Sequence, residues 1–314
     1  MLHKFTPDLS IHELYAQGSE LATIMAQDKD ANGNRIYTHP QDATLHVIDL
    51  PNPVLMTDRY QINKITDYIK RETVSALYES PLISIDYDGV KMDFENMKFK
   101  YPWVRSPSID TLFFCRALKN QQLQWYSSMI EVGSGPGFIA KYTGEKNQNL
   151  KNIVLNDINK NAELYFNDHY TDPRFSFYLG DAKTYMEGKQ FDIIASNPPY
   201  IPRPRSIDDN PYEWLSLPIY LIQNIYEILT DNGKLFLNLS SLSLPIMQEF
   251  LDASNIVVTR LDSMEVPLKV FNVLNNPERM DYLINEKWLK KEYRNGHEYR
   301  QTLYMYEIQR KTSV

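Results

Sequence analysis

From about residue 128 to the C-terminal end, short apolar strands alternate with amphipathic helices. The strands are expected at 129–132, 152–155, 175–179, 191–195, 234–239, 256–258 and 302–308. Helices are expected from Phe138 onward and over 159–169, 212–229 and 244–251. Because parallel neighbours cannot be joined by a tight turn, this alternation predicts a mostly parallel, twisted sheet with helices on both faces. Such sheets bind their ligands at the carboxyl ends of the strands.

The first 81 residues do not show this alternation. Apolar residues recur at helical spacing over 11–24 and 57–79, and residues 46–50 read as one short strand between them. Two runs of alternating polarity then flank Asp88-Gly89, a turn dipeptide typical of a β-hairpin. The expected organisation is a mostly helical N-terminal domain at 1–81, a β-hairpin linker at 82–105 and an α/β domain at 106–314.

Composition narrows the class of protein. Of 314 residues, 33 are basic and 40 acidic, giving a net charge of −7, and 43% are hydrophobic, which suffices for a sizeable core. Cys115 is the one cysteine, so a disulfide framework and a cysteine-rich zinc site are excluded, and its apolar neighbours predict a buried thiol. The six histidines lack H-x-x-x-H spacing, so no metal is expected. Without a signal peptide or an apolar run of about 18 residues, we expect a cytoplasmic protein with no membrane partner.

Three of the eleven glycines fall within five residues, at Gly133, Gly135 and Gly137, between a predicted strand and a predicted helix. Glycine permits the positive φ of such a turn, and the helix N-terminus offers unpaired N–H groups to a ligand. The chain has no G-x-x-x-x-G-K-[ST] phosphate loop. A dinucleotide fingerprint would need its third glycine at position 138, where Phe138 stands, and this disfavours NAD. A tight turn without a ligand is the structural alternative.

An acid, Glu131, precedes the first of these glycines by two residues. The stretch from Glu131 to Gly137 resembles the first motif of class I S-adenosylmethionine (SAM)-dependent methyltransferases. Acids also follow the next two predicted strands, at Asp157 and Asp181. A carboxylate at the first position can accept hydrogen bonds from both ribose hydroxyls, in SAM as in NAD, and the resemblance implies that the second faces the adenine amine. Either aspartate alone is more often a helix cap or a loop acid. The SAM contacts implied by the resemblance are Glu131, Gly133, Ser134, Gly135, Gly137, Asp157, Ile158, Asp181, Ala182 and Asn197.

The fourth predicted strand runs into Asn197-Pro198-Pro199-Tyr200. This string resembles the [ND]-P-P-[YF] motif of methyltransferases that act on planar nitrogens, although a proline-rich turn is the structural alternative. A planar nitrogen is a poor nucleophile because its lone pair is delocalised. The Asn197 side-chain oxygen and the Pro198 carbonyl can each accept one N–H bond and turn the lone pair toward the methyl group, while Tyr200 stacks on the planar group. Catalysis would then consist of positioning and electrostatics, with no covalent intermediate.

Two branches of this family share the motif and differ in substrate. HemK-like enzymes methylate glutamine side-chain amides in proteins, whereas the other branch methylates exocyclic base amines in RNA or DNA. The strings around Glu131, Asp157 and Asn197, and the order of helical segment, hairpin and Arg105-containing string, resemble the HemK-like branch. That string, 105–111, differs from the R-P-x-T-E-like pattern of the family at its Pro and Glu. The resemblance implies a protein substrate bound by Pro199, Tyr200, Arg105 and Arg203. A nucleic acid base and a small-molecule amine stay open as alternatives.

The resemblance implies an enzyme, a SAM-dependent N-methyltransferase with a Rossmann-like seven-stranded sheet. Residues 267–300 form a long insertion before its last strand, expected to be either a solvated charged helix or a lid that recognises the substrate. The rivals from other classes are a SAM-binding scaffold without catalysis and an NAD-dependent oxidoreductase. The amine-orienting acceptors at Asn197 and Pro198 disfavour the scaffold. Phe138 disfavours the NAD-dependent oxidoreductase.

Overall fold

The fold is described from a computed structural model. It describes residues 26–29, 35–38, 43–48, 82–95, 100–102, 104, 107, 109–204, 215–268, 273, 276–294 and 297–311. The chain divides into two compact units. The first contains the described residues up to Leu112 together with those of Val266–Asp281 and Leu289–Arg300, and the second contains those of Phe113–Glu265, Tyr282–Trp288 and Gln301 onward.

The first unit contains a five-stranded antiparallel sheet in the order β1-β2-β3-β4-β5. Its strands are β1 (Ala26–Lys29), β2 (Arg35–Thr38), β3 (Ala43–Ile48), β4 (Leu82–Tyr87) and β5 (Val90–Glu95). The hairpin expected around Asp88-Gly89 is β4–β5, and both turn residues have positive φ, 52° and 79°, as a two-residue hairpin turn requires. The hairpin is not an isolated linker, because β4 also pairs with β3 over its whole length. The helices expected over 11–24 and 57–79 lie outside the described residues.

The second sheet has the strand order β11-β13-β10-β9-β6-β7-β8, with β12 paired to β13. Its strands are β6 (Ser128–Val132), β7 (Asn152–Asp157), β8 (Phe175–Leu179), β9 (Phe191–Ser196), β10 (Leu229–Ser240), β11 (Ile256–Pro267), β12 (Lys291–Arg294) and β13 (His297–Arg310). The strands from β8 across to β10 are parallel to one another, and β13 is antiparallel to β10. The mostly parallel sheet expected from the alternation is confirmed, but it has eight strands rather than seven, because β12 pairs with β13.

Eight described helices accompany the strands. They are α1 (Ile109–Leu118), α2 (Phe138–Lys146), α3 (Lys160–His169), α4 (Ala182–Met186), α5 (Ser216–Gln223), α6 (Ile225–Ile228), α7 (Leu244–Leu251) and α8 (Pro277–Asn285). The helix expected over 212–229 is interrupted at Asn224 between α5 and α6. The Asp231-Asn232-Gly233 string lies inside β10, whose pairing with β9 is irregular between Leu229 and Lys234. Within the described part of the chain, no helix is long and apolar enough to cross a membrane.

Burial explains why the central strands are almost entirely apolar. Residues such as Ile130, Ile194 and Leu237 have no exposed surface. The chain builds the sheet outward from β6 in one direction and from β9 in the other. Because crossovers between parallel strands are almost always right-handed, the helices are expected on opposite faces. Strands covered on both faces read as continuous apolar runs rather than alternating ones. Cys115, a residue of the second unit, is buried, as its apolar neighbours predicted.

The register of the sheet brings the strand ends together at one edge. Val132 pairs with both Asn156 and Ser196, and Ser196 pairs with Leu237. The loops that follow these strands therefore leave the sheet at the same level. The strand order reverses between β6 and β9, and this reversal opens the crevice in which α/β sheets bind ligands.

Candidate active site

The loop after β6 adopts the conformation that its glycines permit. Gly133, Gly135 and Gly137 have φ of 69°, 53° and 81°. The loop is tied to the neighbouring strand, because the N–H groups of Gly133 and Ser134 donate to the Asn156 carbonyl at 2.9 and 3.0 Å. Gly133 is exposed, and no atom lies within 4 Å of the position that a Cβ would occupy there. A ligand can therefore approach the bare backbone of this residue.

Glu131 holds the start of helix α2 from the preceding strand. Its side chain is buried, and its Oε2 accepts from the Ala140 N–H at 2.6 Å, which satisfies one of the unpaired donors of the first turn. Burial raises the pKa of Glu131 from its usual 4.5 to about 8, and the nearby Asp157 carboxylate adds to the rise. The direct contact found for Glu131 is thus with the helix; its contact with SAM stays a prediction.

Asp157 lies at the end of β7 and faces the glycine loop. Its Oδ2 accepts from the Gly135 N–H and its Oδ1 from the Asn159 N–H, both at 2.9 Å. Burial raises its pKa, while the N–H groups of Asn159, Gly135 and Ile158 act to lower it. A carboxylate offers about four acceptor positions, so capacity for a ligand hydroxyl remains.

The residues after β8 also stand at this edge. Gly180 donates its N–H to the Asp157 carbonyl at 3.0 Å. Asp181 is the N-cap of α4, because its Oδ1 accepts from the Lys183 N–H at 2.9 Å. Asp181 therefore has the helix-cap role that the sequence offered as an alternative. Ala182 is buried behind it, whereas Ile158 exposes 45% of its surface and offers an apolar contact. The facing of Asp181 toward an adenine amine stays a prediction.

The loop after β9 carries the Asn197-Pro198-Pro199-Tyr200 string directly beside the glycine loop. Asn197 is half-buried, Pro198 and Tyr200 are buried, and Pro199 is exposed. The Asn197 Oδ1 accepts a hydrogen bond of 2.9 Å from the Asn238 Nδ2. The structure thus places Asn197 at the crevice with a defined amide orientation. Tyr200 as a residue is 4% exposed, and its stacking on a substrate stays a prediction.

The sequence of this region matches a known family over residues 109–260, and that family is described as the methyltransferase small domain. The match covers 152 of the 314 residues, slightly less than half of the chain. The family description names methyl transfer, for which SAM is the expected cofactor. The match includes the glycine loop, the acids after β7 and β8, and the loop after β9.

A tRNA1(Val) (adenine(37)-N6)-methyltransferase of a Flavobacteriaceae bacterium (strain 3519-10) is 31% identical over 114 residues, which is 34% of this chain and 48% of that protein. The chain thus spans about half the length of this curated relative. Among solved structures, a precorrin-6y C5,15-methyltransferase of Geobacter metallireducens has a TM-score of 0.41 at 12% identity, covering 68% of this chain and 93% of that one. A ribosomal protein L11 methylase of Lactobacillus delbrueckii has a TM-score of 0.37 at 12% identity, covering 64% and 76%.

The residues of the crevice fit an adenosyl cofactor. The Ser134 Oγ is buried and has no hydrogen-bond partner among the described residues. Buried hydroxyls are usually hydrogen-bonded, so this one is free to bond to a ligand in the loop. The space above Gly133 is open, and Asp157 keeps acceptor capacity. Phe138 is buried at the start of α2, where a dinucleotide fingerprint would have glycine.

The predicted substrate residues are distributed unevenly. Pro199 is exposed, Tyr200 is buried beside Asn197, and Arg203 is buried at 6% exposure. Arg105 lies outside the described residues. The predicted insertion, 267–300, contains α8 and β12 in its described part. No group of three or more potential metal ligands occurs within the described ranges.

Sequence reasoning missed two asparagines that organise this edge. Asn156 is buried; its carbonyl accepts from the glycine loop, and its Nδ2 donates to the carbonyls of Tyr178 and Gly180 at 3.0 and 2.8 Å. Asn238 is buried and donates to Asn197. The available signal was an amide placed inside an otherwise apolar strand, because a buried amide requires a specific partner.

Proposed function

We propose that the chain is a SAM-dependent N-methyltransferase that acts on the exocyclic N6 amine of adenine in RNA. The observation that carries the proposal is the position of the Asn197-Pro198 acceptors, which leave the sheet at the same level as the glycine loop. An N-methylating site needs acceptors for N–H groups next to the methyl donor. The curated relative acts, by its name, on the N6 of an adenine in tRNA, and this supports a base amine as the substrate.

In this proposal the residues of the crevice divide into two groups. Gly133, Ser134 and Gly135 hold the cofactor through backbone and hydroxyl contacts, and Asp157 accepts from its ribose hydroxyls. SAM, when bound, supplies an electrophilic methyl group on a sulfonium. The Asn197 Oδ1 and the Pro198 carbonyl hold the substrate N–H groups.

The chemistry required of the chain is positioning. The substrate nitrogen forms its bond to the methyl carbon with its own lone pair, the electrons of the broken C–S bond stay on sulfur, and one N–H proton leaves to water. As the bond forms, positive charge develops on nitrogen, and the oxygens of Asn197 and Pro198 stabilise it. Proline suits position 198 because it has no N–H that would compete for these acceptors.

A protein glutamine amide is the second candidate. It presents the same planar NH₂ group, and the strings around Glu131 and Asn197 resemble the HemK-like branch. The two substrates would use the same acceptors, so they differ only in what surrounds the nitrogen.

The decisive experiment uses SAM labelled in its methyl group, with RNA and protein fractions of a cell lysate as acceptors. The proposal expects label that nuclease releases and that appears as N6-methyladenosine after digestion. Label released only by protease would establish the glutamine amide instead, and no transfer to any fraction would favour a SAM-binding scaffold.

The Asn197→Ala variant tests the mechanism. Loss of one preorganised hydrogen-bonding group costs about a hundredfold or more in turnover, while SAM affinity should stay within about twofold. The matched control is Ser196→Ala, which removes a buried hydroxyl that donates to the Val132 carbonyl at 3.0 Å but leaves the Asn197 amide intact. Wild-type turnover in Asn197→Ala would refute the assigned role.

A further inference from the structure

Asn238 is a polar residue in the apolar interior of the second sheet. It belongs to β10, has no exposed surface, and is flanked by Leu237 and Leu239, which are equally buried. Leu237 of β10 pairs with Ser196, the last residue of β9, so the residues that follow them, Asn238 and Asn197, are neighbours. The Asn238 Nδ2 lies 2.9 Å from the Asn197 Oδ1 and donates to it.

The orientation of the Asn197 amide decides whether it can serve an amine substrate. The oxygen and the NH₂ group of an asparagine have nearly the same size, and the terminal torsion is broad, so the amide can turn over at little steric cost. With its oxygen inward, Asn197 can accept from a substrate N–H. With its NH₂ group inward, the Asn197 amide would place a donor against the N–H donors of the substrate, and no hydrogen bond could form.

We propose that Asn238 is a positioning residue that holds Asn197 with its oxygen available to the substrate amine. The inference rests on the function proposed above. A carbonyl oxygen has two lone pairs; the bond from Asn238 uses one and leaves the other for the substrate. A turned-over Asn197 would direct its own N–H groups at the buried NH₂ group of Asn238, and this donor would lose its partner.

The orientation of Asn238 is fixed in turn by burial. Its Oδ1 has no hydrogen-bond partner among the described residues. Turning Asn238 over would leave a buried NH₂ group in that position, and buried donors without a partner are rarer than under-satisfied carbonyls. The pair therefore has one favoured arrangement.

Two substitutions separate positioning from packing. Asn238→Asp keeps the shape but replaces the amide by a carboxyl group whose pKa burial raises. Once ionised at high pH, this group attracts the NH₂ end of Asn197, so turnover should fall by about 30-fold or more as the pH rises through that pKa. Asn238→Leu removes the donor without adding an attraction, and turnover should fall about fivefold. SAM affinity should change less than twofold in both. Ser196→Ala, which loses one buried hydrogen bond at the same level, should keep its turnover.

A second readout does not depend on turnover. In protein labelled with ¹⁵N-asparagine, the Asn238 side-chain NH₂ signals should exchange slowly with water, and Asn197→Ala should shift them. Unshifted signals would overturn the inference. So would wild-type turnover in Asn238→Leu, or equal losses in Asn238→Leu and Ser196→Ala.

The failure of the proposed function would look different. The wild-type protein would then transfer label to protein or to no fraction, while the NMR comparison would still decide whether the bond between the two asparagines exists. If Asn238→Asp fails to fold, Asn238→Leu and the NMR comparison still decide the inference.

Discussion

Three glycines provide a matched test of the cofactor loop. Gly133, Gly137 and Gly188 have similar left-handed φ values of 69°, 81° and 68°. They differ in what an added methyl group would meet. At Gly133 and Gly188 no atom lies within 4 Å of the Cβ position, whereas at Gly137 the Cβ would fall on the Leu155 side chain and lie 2.6 Å from the Tyr170 hydroxyl.

The structure sets the size of each effect on stability. An alanine held in the left-handed region destabilises the native state by about 1–2 kcal/mol. Alanine also lowers the conformational entropy of the unfolded chain, which offsets part of this cost, so Gly133→Ala and Gly188→Ala should each lose about 1 kcal/mol of stability. Gly137→Ala adds overpacking of about 1–3 kcal/mol. It also displaces the Tyr170 hydroxyl from the carbonyls of Pro136 and Gly137, at 2.8 and 3.0 Å, for about 1 kcal/mol more. Its total loss should be about 3–5 kcal/mol.

Urea unfolding without ligand measures these losses, and calorimetric titration with S-adenosylhomocysteine measures cofactor affinity. Gly188 precedes β9, at the edge opposite the crevice, so its variant should bind like the wild type. Gly133→Ala should bind at least tenfold more weakly, because the methyl group would lie where the cofactor meets the loop. Equal stability losses at Gly137 and Gly188 would refute the packing argument, and unchanged affinity in Gly133→Ala would refute the cofactor contact.

Two carboxylates give further predictions. Because burial raises the pKa of Glu131 to about 8, the native protein holds a proton between pH 4.5 and 8 that the unfolded chain has released. Stability should therefore fall as the pH rises through this window, and calorimetric melting temperatures of Glu131→Gln should show a flatter profile; parallel profiles would contradict the assignment. Asp192, at the start of β9, is partly buried, which opposes its ionisation, but the N–H and hydroxyl groups of Ser127, Ser128 and Thr230 lower its pKa overall. Asp192→Asn should lose about 2 kcal/mol in urea unfolding at pH 7 and less below pH 4, where the carboxyl becomes protonated, with unchanged cofactor affinity. A loss that is constant with pH would show that the charge is not responsible.

Local patterns in the chain were sufficient for the methyltransferase sheet and for most of its crevice. The strands of a doubly covered sheet must be apolar, and the residues at their ends are free to be polar, so β6, β7 and β9 and the loops after them are visible in the sequence. The β4–β5 turn is equally local, because Asp88-Gly89 provides the positive φ that the hairpin needs.

Other features depend on residues far apart along the chain. The hairpin is part of a five-stranded sheet because β4 pairs with β3, and this pairing leaves no mark in the string around Asp88. The helix expected over 212–229 is interrupted at Asn224, and Leu229 at its expected end instead begins β10 and pairs with Phe191 on β9. In both cases the partner strand competes with the local preference and prevails.

The orientation of the Asn197 amide also depends on the tertiary structure. Asn197 is recognisable from the prolines beside it, but its amide has two nearly isosteric ends, and neither end is favoured by its own string. The choice is made by Asn238, 41 positions along the chain. A hydrogen bond can orient the Asn197 amide only when donor and acceptor are about 3 Å apart. The parallel register of β9 and β10 brings the two asparagines to this distance.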